Sequence, residues 1–360
     1  MTHMTDPTKL QIVIPPLDER AMREASARQD RLTKPAGSLG RLEELSISLA
    51  GMTGRLDPPL TNRVVFTLAA DHGVATEGVS AYPREVTPQM VLNFLRGGAA
   101  INVLARQAGA RVVVADLGVD ADLPEHPELR ALKVRRGTAS ITTGPAMTIL
   151  EALQAIEIGR QLVREEIGKG LDVALTGDMG IGNTTASAAL ICALAELDPK
   201  DVVGRGTGVD DEGLERKRRA VRTALEVNAE QIARGPIDAL AAVGGLEIAG
   251  LVGVILESAS QRKPVIIDGF ISGAAALAAA RIAPAVTGYM IASHRSGELG
   301  HGAVLRRLGL RPLLELDLRL GEGTGAVLAL PLVEAAIRTL NDMATFDEAG
   351  VSERQQEIEA

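Results

Sequence analysis

The 360-residue sequence predicts an α/β fold: a mostly parallel sheet flanked by helices, with a small helical domain formed from the chain ends. Three observations predict it. In the middle of the chain, short unbroken apolar runs alternate with longer runs at helical spacing, which is the pattern of strands buried on both faces and the helices that cover them. Both flanks carry helical patterning with few strand-like runs. The composition, 46% hydrophobic and 23% charged with only four Phe, two Tyr and no Trp, is that of an ordinary globular chain with an aliphatic core.

Taken in chain order, Leu17–Leu56 reads as helical. Arg63–Ala69 (RVVFTLA) is the first predicted strand, and Gln89–Ala108 follows as a helix. Arg111–Leu117 (RVVVADL) is the second strand and Thr148–Ile167 the next helix. Leu171–Thr176 (LDVALT) is a strand, followed by helices over Thr185–Leu197 and Gly213–Arg234. Pro264–Asp268 (PVIID) is a strand, and Val286–Ala292 (VTGYMIA) a weaker one. Val333–Glu359 is helical again. The expected division is an α/β nucleotide-binding core over 61–300 and a mainly helical small domain from 1–60 together with 301–360. The first ten residues and the tail after about Glu348 are polar and expected to be loosely ordered.

Charge and composition exclude several roles. A net charge of −8 and a pI near 5.3 do not suit a protein that binds the nucleic-acid backbone. The most apolar stretches, Leu240–Leu256 and Pro264–Pro284, are interrupted by Glu247 and by Asp268 and Arg281, so core elements are expected there and not membrane spans. MTHMTDPTKL has no apolar core that would make a signal peptide, and the single cysteine, Cys192, fits a reducing, cytoplasmic setting.

The chemistry concentrates in glycine-rich turns. In Leu171–Leu190 (LDVALTGDMGIGNTTASAAL) a strand runs through Asp178, Gly180 and Gly182 into Asn183, Thr184 and an alanine-rich helix. Such a helix start suits a phosphate, though a strand-to-helix turn without a ligand has the same appearance. Neither G-x-G-x-x-G nor Gly-Lys-Ser/Thr is present in it, which speaks against a dinucleotide or Walker-type nucleotide site, and the chain has no G-x-S-x-G elbow.

A second turn, Arg319–Leu330 (RLGEGTGAVLAL), holds Glu322 between Gly321 and Gly323, with Thr324 following. A carboxylate there either projects into a cleft or simply complements the dipole of the helix it precedes. Three more loops are candidates. Ala70–Gln89 offers Asp71, His72, Ser80 and Gln89. Gly204–Lys217 joins Gly206 and its neighbouring glycines to Arg205 and Lys217, a combination suited to an anion. Ser293–His301 supplies Ser293, Arg295 and Ser296. The run Asp210–Arg219 reads as a solvated helix face, with Lys217 the exception. The spacings of His72, His294 and His301 are not metal signatures, so these read as structural or surface histidines and no metal is expected.

Five segments in order, TKPAGSLGRLE (Thr33–Glu43), AADHGVATEGVSAYP (Ala69–Pro83), GDMGIGNTTASAAL (Gly177–Leu190), SHRSGELGH (Ser293–His301) and RLGEGTGAVLALPL (Arg319–Leu332), resemble the nicotinate-nucleotide–dimethylbenzimidazole phosphoribosyltransferases of cobalamin biosynthesis. The resemblance spans roughly Leu17 to Asp342. It implies a Rossmann-like sheet with a small helical domain, a homodimer, no cofactor, and transfer of phosphoribose from nicotinate mononucleotide to dimethylbenzimidazole. By matching motifs, Glu322 is the active-site acid and general base. Ser80 and Gln89 lie near the benzimidazole. Gly180, Gly182, Asn183, Thr184, Gly206, Lys217, Ser293, Arg295 and Ser296 hold the nucleotide, and Gly321 and Thr324 of the acidic turn also contact substrate. Asp178, a second carboxylate, stands where the family usually has Glu.

The reaction so implied needs one base and careful positioning more than a metal. The azole must lose its ring N–H for the other nitrogen to end as a neutral N-glycoside, and a carboxylate can take that proton. Nicotinate leaves readily because the N-glycosylated pyridinium is cationic. Attack from the opposite face converts a β-nucleotide into an α-riboside.

Overall fold

The computed structural model describes residues 10–352. It separates into two compact units. One comprises Thr61–Ala329 together with residues 10–15, and the other Pro16–Leu60 together with residues 330–352.

The larger unit contains six strands: β1 Arg63–Ala70, β2 Ala110–Gly118, β3 Leu129–Ala131, β4 Val173–Met179, β5 Val265–Ile267 and β6 Met290–Ala292. All pair in parallel, in the order β3-β2-β1-β4-β5-β6. This is the doubly wound, Rossmann-type order, in which the chain reverses direction across the sheet between β1 and β4 and opens a crevice at their carboxyl ends. β1 is central, and Val64–Ala70 is buried on both faces, which explains its lack of polar alternation. Its pairing sets Leu68 opposite Asp178 and Ala69 opposite Met179, so both chains leave the sheet at the same level.

Helix Leu246–Ser260 lies against β1 and β4 and is buried along almost its whole length. It crosses helix Ile149–Ile167 at backbone contact. A methyl group on Gly159 would overlap the carbonyl oxygen of Gly250, and one on Gly253 would overlap that of Ile156. Glu257 on the same helix meets Arg160 (2.9 Å) and Arg164 (3.2 Å).

Several elements differ from the sequence expectation. The run Gln89–Ala108 forms two helices, Val86–Leu95 and Ala100–Gln107, because Gly97 turns left-handed (φ 73°) and ends the first. Gly213–Arg234 likewise divides into Asp211–Val227 and Ala229–Ile232; Asp210 caps the first through its carboxylate and the backbone N–H of Gly213. Only Met290–Ala292 of Val286–Ala292 is extended, since Pro284–Tyr289 forms a 3-10 turn. β3 is a three-residue edge strand, too short to show a period. The apolar run Leu240–Leu256 contains two helices broken at Gly244–Gly245, where a methyl on Gly245 would overlap the buried His72 ring.

In the smaller unit, helices Glu19–Arg31 and Arg41–Thr53 pack closely at Gly51, where a Cβ would stand 2.7 Å from Met22. Ala21, Ala25, Ala50 and Leu340 form a small core, and the Arg28 guanidinium donates to the carbonyls of Leu340 (2.7 Å) and Asn341 (3.1 Å) at a helix end. The tail expected to be loose after Glu348 includes the end of helix Phe346–Ala349; residues 1–9 and 353–360 lie outside the described residues. Among the described residues no helix is long and apolar enough to cross a membrane.

Candidate active site

The glycine turn after β4 builds the floor of a cleft at the carboxyl ends of the central strands. A methyl on Gly180 would overlap the carbonyl oxygen of Ala70 at the end of β1, so only glycine lets the turn lie this low. Gly182 has φ 97° and is the N-cap of helix Asn183–Ala195, whose first turn faces the cleft through Asn183 and Thr184. The ammonium of Lys217, fully buried on the neighbouring helix, donates to Thr184 Oγ1 (3.0 Å). Burial lowers its pKa to about 8, opposed by the charge of Glu298. A helix start and a buried ammonium on one hydroxyl form a corner suited to a phosphate.

The acidic turn closes over the same strands. Gly321, Glu322 and Gly323 are three successive left-handed residues (φ 89°, 65° and 98°), and Glu322 is the one that bears a side chain. A non-glycine residue held there costs on the order of 1–3 kcal/mol, so its surroundings must enforce it. They do so from both central strands. Thr67 of β1 donates to the Glu322 carbonyl (3.0 Å), and the Glu322 N–H donates to the carbonyl of Asp178 on β4 (3.2 Å). Gly177 lies directly under Glu322, where a methyl would overlap the Glu322 carbonyl. The carboxylate accepts from the N–H of Ile101 at the start of helix Ala100–Gln107 (3.1 Å) and is 5% exposed. Burial raises its pKa, while the Ile101 hydrogen bond opposes the shift.

Asp268, at the end of β5, fixes this turn. Its carboxylate accepts from the N–H groups of Gly323 (3.2 Å) and Ala326 (3.0 Å), capping helix Thr324–Asp342. Burial pushes Asp268 up to about 7 despite these donors. Asp178 accepts from the Asn183 amide (3.0 Å) and is held well above the usual carboxylate range by burial and by the charges of Asp268 and Glu247. Burial raises both carboxyl groups on the turns, and at Asp178 the charges of Asp268, Glu247 and Glu322 act in the same direction.

The structure gathers Asp178, Gly180, Asn183, Thr184, Gly206, Ser296 and Gly321 around the cleft. Lys217 reaches it through Thr184, and Ser80 through Thr207 (3.2 Å). Gly182, Ser293 and Glu322 adjoin lining residues in the chain, and Thr324 follows two residues after Glu322. Ser293 Oγ donates to the Asp268 carbonyl, and Thr324 Oγ1 to the Gly321 carbonyl. Gln89 and Arg295 are exposed, and the Arg295 guanidinium lies 3.8 Å from Glu315.

Sequence reasoning did not single out Asp268, Glu298 or Arg319 as site residues. The available signal for Asp268 was an acidic residue ending a buried apolar strand. His294, read as structural or surface, is buried and lines the cleft, with Nδ1 3.0 Å from Ser293 Oγ and a pKa lowered to about 4 by burial. No group of three or more His, Cys, Asp or Glu side chains among the described residues is placed to hold a metal ion.

Comparison with known proteins decides the family. A phosphoribosyltransferase family model matches residues 14–351. This chain belongs to that family. A phosphoribosyltransferase relative from Chloroflexus aggregans, named nicotinate-nucleotide–dimethylbenzimidazole phosphoribosyltransferase, is 60% identical over 95% of this chain and 97% of its own. A relative of the same name from Geobacter sulfurreducens is 54% identical over 94% of this chain and 96% of its own. The crystal structure of the phosphoribosyltransferase of that name from Thermus thermophilus superposes with a TM-score of 0.88 at 51% identity, covering 94% of this chain and all (100%) of that one. The Rossmann-like α/β architecture is thus the phosphoribosyltransferase architecture.

Proposed function

We propose that the protein transfers the phosphoribosyl group of nicotinate mononucleotide to dimethylbenzimidazole, giving α-ribazole 5′-phosphate and nicotinate for the lower ligand of cobalamin. The observation that carries this reading is Glu322: a buried carboxylate forced into a left-handed turn at the switch point, beside a corner built for a phosphate. Lys217, Thr184 and the start of helix Asn183–Ala195 hold the phosphate, with Gly180, Gly182, Asn183 and Gly206 leaving room for it. Ser293 and Ser296 shape the loop on the far side of the nucleotide, and Arg295 adds positive charge outside. Ser80 and Gln89 face the azole. Gly321 and Thr324 keep Glu322 in place.

Glu322 takes the azole N–H proton as the other ring nitrogen attacks C1′ and nicotinate departs. A carboxylate raised by burial is a stronger base at neutral pH than an exposed one. Asp178, engaged by the Asn183 amide, serves the site as a hydrogen-bonding neighbour. No metal or cofactor enters this scheme. The lone Cys192 supports a cytoplasmic setting, and the resemblance to the family supports a homodimer.

The test is a pair of substitutions. Glu322→Gln keeps size and one hydrogen bond but cannot accept a proton, so kcat falls about 10²–10⁴-fold while the affinity for nicotinate mononucleotide stays near wild type. Asp178→Asn retains substantial turnover. If Asp178→Asn abolishes turnover and Glu322→Gln remains near wild type, the roles are reversed and the assignment of the base is wrong.

A further inference from the structure

Glu298 has no part in the scheme above, yet its side chain lines the cleft with Thr184, Gly206 and Arg319. It is 7% exposed, and its Oε2 is buried without a hydrogen-bond partner among the described residues. The chain accommodates it at a cost in side chains: a methyl on Gly204 would overlap this oxygen, and one on Gly206 would stand 2.5 Å from the Lys217 ammonium. A buried carboxylate and a buried ammonium thus press on the same short segment, two residues apart. Leaving a buried carboxylate oxygen without a donor is unfavourable, and in a residue that lines the cleft a donor carried by the ligand would relieve that cost.

The chemistry of the nucleotide limits what that donor is. At neutral pH the phosphate and the ring carboxylate of nicotinate mononucleotide only accept hydrogen bonds, and both repel another carboxylate. The pyridinium nitrogen bears no proton. The 2′- and 3′-hydroxyls of the ribose are the donors that remain. With the phosphate drawn to Lys217 and Thr184, the ribose is the part of the same molecule within reach of Glu298. Resting on the function proposed above, we propose that Glu298 is the residue that recognises the ribose, accepting hydrogen bonds from its 2′- and 3′-hydroxyls and selecting ribonucleotides over deoxyribonucleotides.

The experiment compares the affinities of nicotinate mononucleotide and its 2′,3′-dideoxy analogue, by calorimetry without an acceptor, for the wild type, Glu298→Ala and Glu298→Gln. The wild type is expected to bind the ribonucleotide about 100-fold or more tightly over the analogue, since a site built to pair a hydroxyl rejects the ligand lacking it. In Glu298→Ala that ratio collapses to within a few-fold, by loss of ribonucleotide affinity with the analogue little changed. Glu298→Gln, which still accepts a hydrogen bond, gives an intermediate ratio and guards against a folding defect in the alanine variant. If Glu298→Ala and Glu298→Gln weaken both ligands equally, Glu298 is only the counter-charge of Lys217 and the inference is overturned. Equal affinity of the wild type for the two ligands overturns it as well. A wild type that binds neither ligand would instead remove the proposed function itself, and the inference with it.

Discussion

At the scale of single residues, the site works by setting similar groups in different surroundings. In the proposed reaction Glu322 must be ionised to accept a proton and Lys217 must be protonated to hold a phosphate. The Glu322 pKa is raised, so activity is lost as pH falls through that raised value. The Lys217 pKa is lowered to about 8, so activity is lost as pH rises through it. The expected kcat/KM for nicotinate mononucleotide is therefore bell-shaped, with an alkaline limb near pH 8 set by the free enzyme. Lys217→Met should remove that limb and weaken nucleotide binding by about 2–5 kcal/mol; an unchanged alkaline limb would show that another group controls it. Both residues were singled out in the sequence as candidates, Glu322 from its glycine setting and Lys217 as the exception on a charged helix, and the structure buries both. Asp268, Glu298 and Arg319 were not, because their place depends on which loops meet in space. Gly182 shows the same limit. Its sequence setting suggests that a substitution would affect only ligand approach, but φ is 97° and an added Cβ would stand 3.2 Å from the His72 side chain, so any side chain there strains the fold as well.

At the scale of elements, helices Ile149–Ile167 and Leu246–Ser260 cross at backbone contact beside the central strands. Gly253→Ala should lower stability by about 1–3 kcal/mol or more, because the added methyl meets backbone that cannot move aside. Gly302→Ala is the control: its Cβ would lie 3.5 Å from the flexible Arg306 side chain, and alanine favours a helix by up to about 1 kcal/mol. Urea midpoints measure both, and a Gly253→Ala protein as stable as wild type would contradict the described crossing. The same elements show where periodicity stops being informative. Arg63–Ala69 and Thr148–Ile167 were readable because burial on both faces and a Thr148–Glu151 capping box leave local marks. The break at Gly97 and the break at Gly245 interrupt apolar patterns that continue on either side. The latter is imposed by the His72 ring, whose Nε2 meets Glu247 at 2.6 Å from a distant part of the chain.

At the scale of the whole molecule, the strand order places the two glycine turns together. Sequence predicted parallel strands and turns at their carboxyl ends, but not that β4 would lie beside β1, which is what joins the Asp178 turn to the Glu322 turn. Pairing between distant strands leaves no local trace, and the family resemblance implied only a Rossmann-like parallel sheet. The resemblance also underlies the homodimer, for which light scattering at micromolar concentration should give twice the 37.7 kDa chain mass; a monomer would refute it. The most direct test of the function is to incubate the wild type with nicotinate mononucleotide and dimethylbenzimidazole and resolve the products by NMR. One equivalent of nicotinate should appear for each α-ribazole 5′-phosphate, with the anomeric centre inverted and little nicotinate released when the azole is omitted. Nicotinate release at the same rate without dimethylbenzimidazole, or a product of retained β configuration, would contradict the account.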